Sequence, residues 1–291
     1  MRALALLLGG VLVAATAHAE PGSAPAPAPA PTAAPASLPL ECARTPHVGL
    51  PDGPVAIGAY DGDLGAGRRA CPRSEIQLGL RGGAIIDTPN FYGALAADVA
   101  LSTSFAIRGR GEIFSTLVLA RYVYAQNATI KGSTFGLGAT SLGGSVIAYA
   151  KDGAVVSAFV RLVLPTDSAV RTPTLGGELG LSVAVRRWQR VALNLALSGD
   201  FAVGLSRAPV DARGGFLALF GVQYAPAHWF AFALDLQGHF GQRAPLDYLA
   251  PALALRFRLW KGLALELAGM VPVVGADRHD ALLALRGGWR F

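Results

Sequence analysis

Charged residues recur in this chain two or four positions apart inside otherwise apolar stretches, as with Arg256 and Arg258, Arg286 and Arg290, or Arg108 and Arg110. A period of two puts such residues on one face of a β-strand. On a lipid-facing surface they would be costly, so each is assigned to an interior. The basic members are Arg108, Arg110, Arg186, Arg256, Arg258, Arg286 and Arg290, joined by Arg81 and Arg161. The acidic members are Glu178, Asp200, Asp235 and Glu266, joined by Glu75, Asp98 and Glu112, with His239 beside them. Two kinds of chemistry suit such rows, and both stay open. The groups can pair across strands and brace the interior, or the arginines can line a vestibule that biases a pore toward anions.

Ser198, Asp200 and His239 are the residue types a hydrolase would use. Ser198 and Asp200 share one predicted strand and His239 lies on another, with residues 215–224 between them. Their side chains would have to cross two strand spacings of about 4.8 Å each. No catalytic residue is therefore assigned, and the chain is not expected to be an enzyme. His279, beside Asp280, reads as a solvated loop residue. The run Gly136-Leu137-Gly138-Ala139 is followed by no helical pattern, which argues against a phosphate-binding loop. Cys42 and Cys71 are the only cysteines, and in an exported chain they are expected to form one disulfide. With only His47 nearby they supply too few ligands for a metal, and Asp61-Gly62-Asp63 lacks the further oxygen ligands of a calcium loop. Neither metal nor cofactor is expected.

The chain opens with Arg2, an apolar stretch over residues 3–15 and Ala17-His18-Ala19, the pattern of a signal peptide over residues 1–19. Residues 20–39 are an Ala/Pro-rich linker that favours extended polyproline II and cannot bury a core. Residues 40–74 form an N-terminal segment containing both cysteines, and the strand pattern occupies residues 75–291. No later stretch offers about 18 uninterrupted apolar residues, which argues against a helical membrane protein. Yet 52% of the residues are hydrophobic, 15% are charged, and glycine numbers 36. Apolar residues scattered in alternation raise hydropathy in this way when one face of every strand meets lipid. The formal net charge of +6 comes without a Lys/Arg run. Arginines dispersed along strands of an exported chain argue against nucleic acid as a partner, whereas lipid phosphates at the rims suit them.

Twelve strands are predicted, at residues 75–85, 92–102, 105–125, 133–150, 154–164, 174–186, 191–203, 215–224, 230–241, 248–259, 263–271 and 281–291. Dividing the long third and fourth differently leaves ten or fourteen as alternatives. Turns at Thr103-Ser104, Lys151-Asp152-Gly153 and Trp260-Lys261-Gly262 are short, while the intervening loops are longer. Short turns at one end and longer loops at the other are the habit of a transmembrane, antiparallel, up-and-down β-barrel. Faces are clearest at residues 248–259, where Leu249, Leu253, Leu255 and Phe257 oppose Tyr248, Ala250, Ala252, Ala254, Arg256 and Arg258. Residues 191–203 and 230–241 repeat this, whereas the phase of 133–150 and 215–224 is left open. Trp188, Tyr224, Trp229, Trp260, Trp289 and Phe291 fall at the short-turn ends, where amphipathic rings favour a membrane interface.

Residues 283–291, LALRGGWRF, alternate to the end and stop on an aromatic residue. This resembles the terminal-strand signal of bacterial outer-membrane β-barrel proteins, with Trp289 and Phe291 in the positions read by the barrel-insertion machinery. The resemblance implies a cell outer-membrane location, a periplasmic N-terminal segment, and outer-membrane lipid and that machinery as partners. Residues 136–168, which contain Leu164-Pro165-Thr166-Asp167, resemble the core of the barrel family of phenol meta-degradation pathway transporters. That family ends the strand with Leu-Pro-Thr-Gly-Asp, and the Gly is missing here. The resemblance implies passage of small solutes through a passive channel or transporter and assigns no binding residue. A structural or envelope-interaction barrel with a plugged lumen is the alternative, and an outer-membrane lipid hydrolase a remote one.

Overall fold

A computed structural model describes residues 42, 69–87, 92–126, 131–169, 174–186, 188, 190–205, 212–241, 246–274 and 281–291. The predicted leader and linker lie outside the described residues, as do most of the N-terminal segment, His47, Asp61-Gly62-Asp63, His279 and Asp280. Thirteen strands form one antiparallel sheet. They are β1 (Glu75–Asp87), β2 (Tyr92–Ile107), β3 (Gly111–Gln126), β4 (Lys131–Gly136), β5 (Thr140–Lys151), β6 (Ala154–Leu164), β7 (Thr174–Val185), β8 (Val191–Gly204), β9 (Ala212–Ala227), β10 (Phe230–Gly241), β11 (Tyr248–Arg258), β12 (Leu263–Met270) and β13 (Ala281–Arg290). Sequence neighbours pair except for β4 and β5, and β1 pairs with β13 from Glu75↔Arg290 to Ala84↔Ala281, so the sheet closes into a barrel in which β4 pairs on its β3 side alone. β4 and β5 lie end to end along β3, the first on its Arg121–Gln126 half and the second on its Gly111–Leu117 half. The thirteen strands thus fill twelve places around the wall.

Alternation decides which side chains face in. On β11, Tyr248, Ala250, Ala252 and Ala254 are buried, while Leu253 is exposed on the outer face. On β13, Leu282, Ala284 and Arg286 face in, and Leu283, Leu285 and Trp289 face out. β9, whose phase the sequence left open, sends Leu217, Leu219 and Gln223 inward and Phe216 and Phe220 outward. The outer face is therefore a continuous apolar surface of exposed Leu, Ile, Val and Phe. Trp188, Trp229, Trp260, Trp289 and Phe291 ring one end of it, called here the proximal end, which also bears residues 69–74.

Three local departures from regular alternation matter for the interior. Thr103 and Ser104 do not turn; they sit inside β2, where the Thr103 and Ser115 hydroxyls lie 2.9 Å apart and the Ser102 and Thr116 hydroxyls likewise. The turn instead falls at Arg108-Gly109-Arg110, with φ of 47° at Arg108 and 67° at Gly109. Arg108 and Arg110 are thereby exposed at the proximal rim, which corrects their assignment to the lumen. In β3 a bulge at Leu119 shifts the phase between Val118 and Arg121, so both face inward. Between β4 and β5 the chain steps off the ladder over residues 137–139, and the Gly138 N–H donates to the Val118 carbonyl at 3.0 Å. The expected hairpin at Asp152-Gly153 does form, with φ of 56° and 80° matching strand twist.

Candidate functional site in the barrel interior

Residues 69–74 enter the proximal mouth before the chain turns into β1. Arg69 is seated by three strands: it pairs with Glu112 of β3 and Glu75 of β1, and its Nη2 donates to Ser104 Oγ of β2 at 2.8 Å. Burial opposes charge on Arg69, but the two carboxylates outweigh it and its pKa is raised. The Ser157 hydroxyl of β6 donates to the Ala70 carbonyl. Cys71 packs with Val155 and Ala184 and is bonded to Cys42, Cα to Cα 5.7 Å, as the cysteine count predicted. At the rim the Phe291 N–H donates to the Ser74 carbonyl at 3.2 Å, and the Ala106 N–H donates to Ser74 Oγ at 3.1 Å.

Deeper in, a belt of alternating charge runs across neighbouring strands. Arg81 of β1, Asp98 of β2 and Arg121 of β3 are direct register partners, and Arg121 also pairs with Asp167 from the β6–β7 loop. Asp167 belongs to the Leu164-Pro165-Thr166-Asp167 motif. The loop is latched onto the β4–β5 break, where Thr140 N–H donates to Thr166 Oγ1 at 2.8 Å and Leu137 N–H to Ser168 Oγ at 2.9 Å. Beside the belt, Glu178 accepts from Arg161 Nη2 at 2.5 Å and from Ser198 Oγ at 2.6 Å. Ser198 is thus engaged by Glu178 and not by His239.

His239 bridges two carboxylates. Its Nδ1 lies 2.7 Å from Asp247 Oδ2 and its Nε2 3.0 Å from Asp200 Oδ1, with the Tyr248 ring stacked at 5.8 Å. Two strand spacings predict that His239 and Asp200 stay apart, and the structure brings them together. β9 offers Gly215 at the crossing point, where a Cβ would lie 2.5 Å from His239 Nε2. The missing side chain is the passage.

Of the remaining predicted residues, Glu266 forms an ion pair with Arg286 at 3.1 Å, and Asp235 is buried beside Gly221. Arg258 and Arg186 are half-buried at the proximal ends of β11 and β7, and Arg256 and Arg290 join them there. Trp289 and Phe291 are exposed on the outer face of the same end. Around the other half of the lumen, β10 to β13 present Ala233, Ala250, Ala252, Ala254, Ala268 and Ala284 with Met270 and Leu282. Some inward polar side chains are closed off from water: Gln223 is 0% and Gln237 1% exposed.

No family model matches the chain, and no curated protein matches it in sequence, so the resemblance of residues 136–168 stays at the level of a motif. Solved structures do match. An outer membrane channel from Pseudomonas putida F1 is 12% identical with a TM-score of 0.58, covering 79% of this chain and 99% of its own. The KdgM porin in complex with disordered oligogalacturonate is 10% identical, with a TM-score of 0.51 over 74% of this chain and 99% of its own. The translocator domain of the autotransporter NalP from Neisseria meningitidis is 10% identical, with a TM-score of 0.52 over 75% and 88%. At these identities the likeness is one of fold, and the fold is that of outer-membrane β-barrels.

Proposed function

We propose that the chain is an outer-membrane channel for small solutes, held shut in this conformation by residues 69–74. The observation that carries the reading is that a separate segment, residues 69–74, lies buried in the proximal mouth against the inner wall. That segment is held by Arg69 with Glu112 and Glu75, by the Ala70 carbonyl with Ser157 and by the packing of Ala70 and Cys71 against Val155 and Ala184; it belongs to no strand, so it can leave without unfolding one. The apolar outer face and its aromatic ring suit a bilayer. In this reading the proximal end is periplasmic, outer-membrane lipid covers the wall, and Trp289 and Phe291 of β13 serve as the signal for the insertion machinery. The role is passive and not enzymatic, in keeping with the engagement of Ser198 by Glu178.

A plugged structural barrel is the second reading, favoured by the burial and pairing of the inward side chains. Single-channel recordings and liposome swelling separate the two. The full chain is expected to open rarely, and Arg69→Ala to open at least several times more often, admitting solutes of graded size. Silence in both proteins, with the variant correctly folded, would leave only the structural barrel.

A further inference from the structure

We propose that Arg256 and Arg290 form an oxyanion site at the proximal end of the lumen, taking the carboxylate or phosphate group of a small solute. The proposal deepens the reading of the lumen as a solute path and rests on it for the solute's arrival. Arg256 faces inward on β11, is 7% exposed, and its Nε has no hydrogen-bond partner. Arg290 approaches Glu75 only to 4.0 Å, and its Nε and Nη2 are buried without hydrogen bonds. Guanidinium N–H groups closed off from water in this way are costly unless an acceptor reaches them.

Glu75 is shared, with Arg69 on one oxygen and Arg73 at 3.7 Å on the other. Glu266, the register partner of Arg256, forms an ion pair with Arg286 at 3.1 Å, so one carboxylate stands between two arginines there. Further positive charge surrounds the pair, because Arg73 and Arg186 lie within electrostatic reach of Arg290. Burial first, and then the charge of Arg290, hold Arg73 well below the usual arginine range. A cation is repelled here. Planar forks of paired donors match the two oxygens of a carboxylate or the edge of a phosphate, which a spherical halide cannot engage in the same way.

Calorimetric titration of the full chain in detergent with inorganic phosphate and, separately, with acetate tests the site without needing transport. Saturable heat from either supports it and names the group preferred. Arg256→Gln and Arg290→Gln should each weaken binding by about tenfold, with Arg256→Lys intermediate, while the exposed Arg108→Gln leaves it unchanged. Should Arg256→Gln fail to fold, Arg290→Gln at the strand end gives the same reading. No saturable heat from either anion, equal heat from chloride at matched ionic strength, or undiminished affinity in Arg290→Gln overturns the proposal. Binding without conductance would remove the solute path and keep the site; conductance without binding would do the reverse.

Discussion

Two regions line the same lumen by opposite means. From β1 to β3 and on to the β6–β7 loop, the inner surface is made of long charged side chains, Arg81, Asp98, Arg121 and Asp167, each meeting an opposite charge. From β10 to β13 alanines fill much of it, with polar groups such as Asp235, Gln237, Arg256 and the Glu266–Arg286 pair set among them. A long ion-paired side chain reaches across a cavity and fixes one arrangement, whereas an alanine only makes room. The difference teaches where the interior is braced and where it has been cleared, and the mean composition of the lumen hides both.

The contrast is open to attack on the charged side first. Asp98 serves two arginines, so Asp98→Ala takes a buried carboxylate from Arg81 and from Arg121, and Arg121 keeps Asp167. We expect a loss of about 3–5 kcal/mol, the usual cost of breaking a buried pair from one side. Equilibrium unfolding of the detergent-refolded chain measures it. A loss under about 1 kcal/mol would mean that water already reaches the belt and that it does not brace the wall.

The cleared side should respond more weakly and with the opposite cause. Ala254→Leu adds bulk to an inward position that is 2% exposed, and overpacking there should cost about 1–3 kcal/mol. The same unfolding assay compares it directly with Asp98→Ala. If Ala254→Leu costs as much as the charge deletion, the two halves are equally packed and the division fails. If it costs nothing, the alanine wall borders free space, and conductance of this variant then tells whether solutes use it.

How much of this division was legible beforehand depended on whether alternation ran uninterrupted. The faces of β10, β11 and β13 followed from period two, and the β1–β13 closure followed with them. Arg121 escaped because the bulge at Leu119 moves the phase by one residue, and a bulge leaves no mark in an apolar run such as Leu117-Val118-Leu119-Ala120. Arg69 and Arg73 escaped for a different reason. They precede the first strand, where no periodicity says what faces what, and only their lodging in the mouth makes them interior residues. Asp167 was seen as part of a loop motif, but its reach to Arg121 depends on the latch to the β4–β5 break. A count of strands alone puts His239 and Asp200 too far apart to meet. Gly215 shows that one absent Cβ is enough to join residues two strands apart.

The smallest effect belongs to a residue first assigned to the lumen and found outside it. Thr103-Ser104 offered a plausible turn, and placing it there put Arg108 on an inward face. The chain instead extends β2 to Ile107, pairs the two hydroxyl-bearing strands, and turns where Arg108 and Gly109 both adopt positive φ. An exposed arginine in such a turn touches neither the braced half nor the cleared one. Arg108→Gln should therefore shift stability by no more than about 0.5 kcal/mol and leave conductance and its ion preference unchanged. Because Gln meets the same left-handed backbone as Arg, any larger change would have to come from lost charge. A variant that altered ion preference while Arg256→Gln did not would place the electrostatic control at the rim, and would move the functional boundary of the lumen outward to the turn.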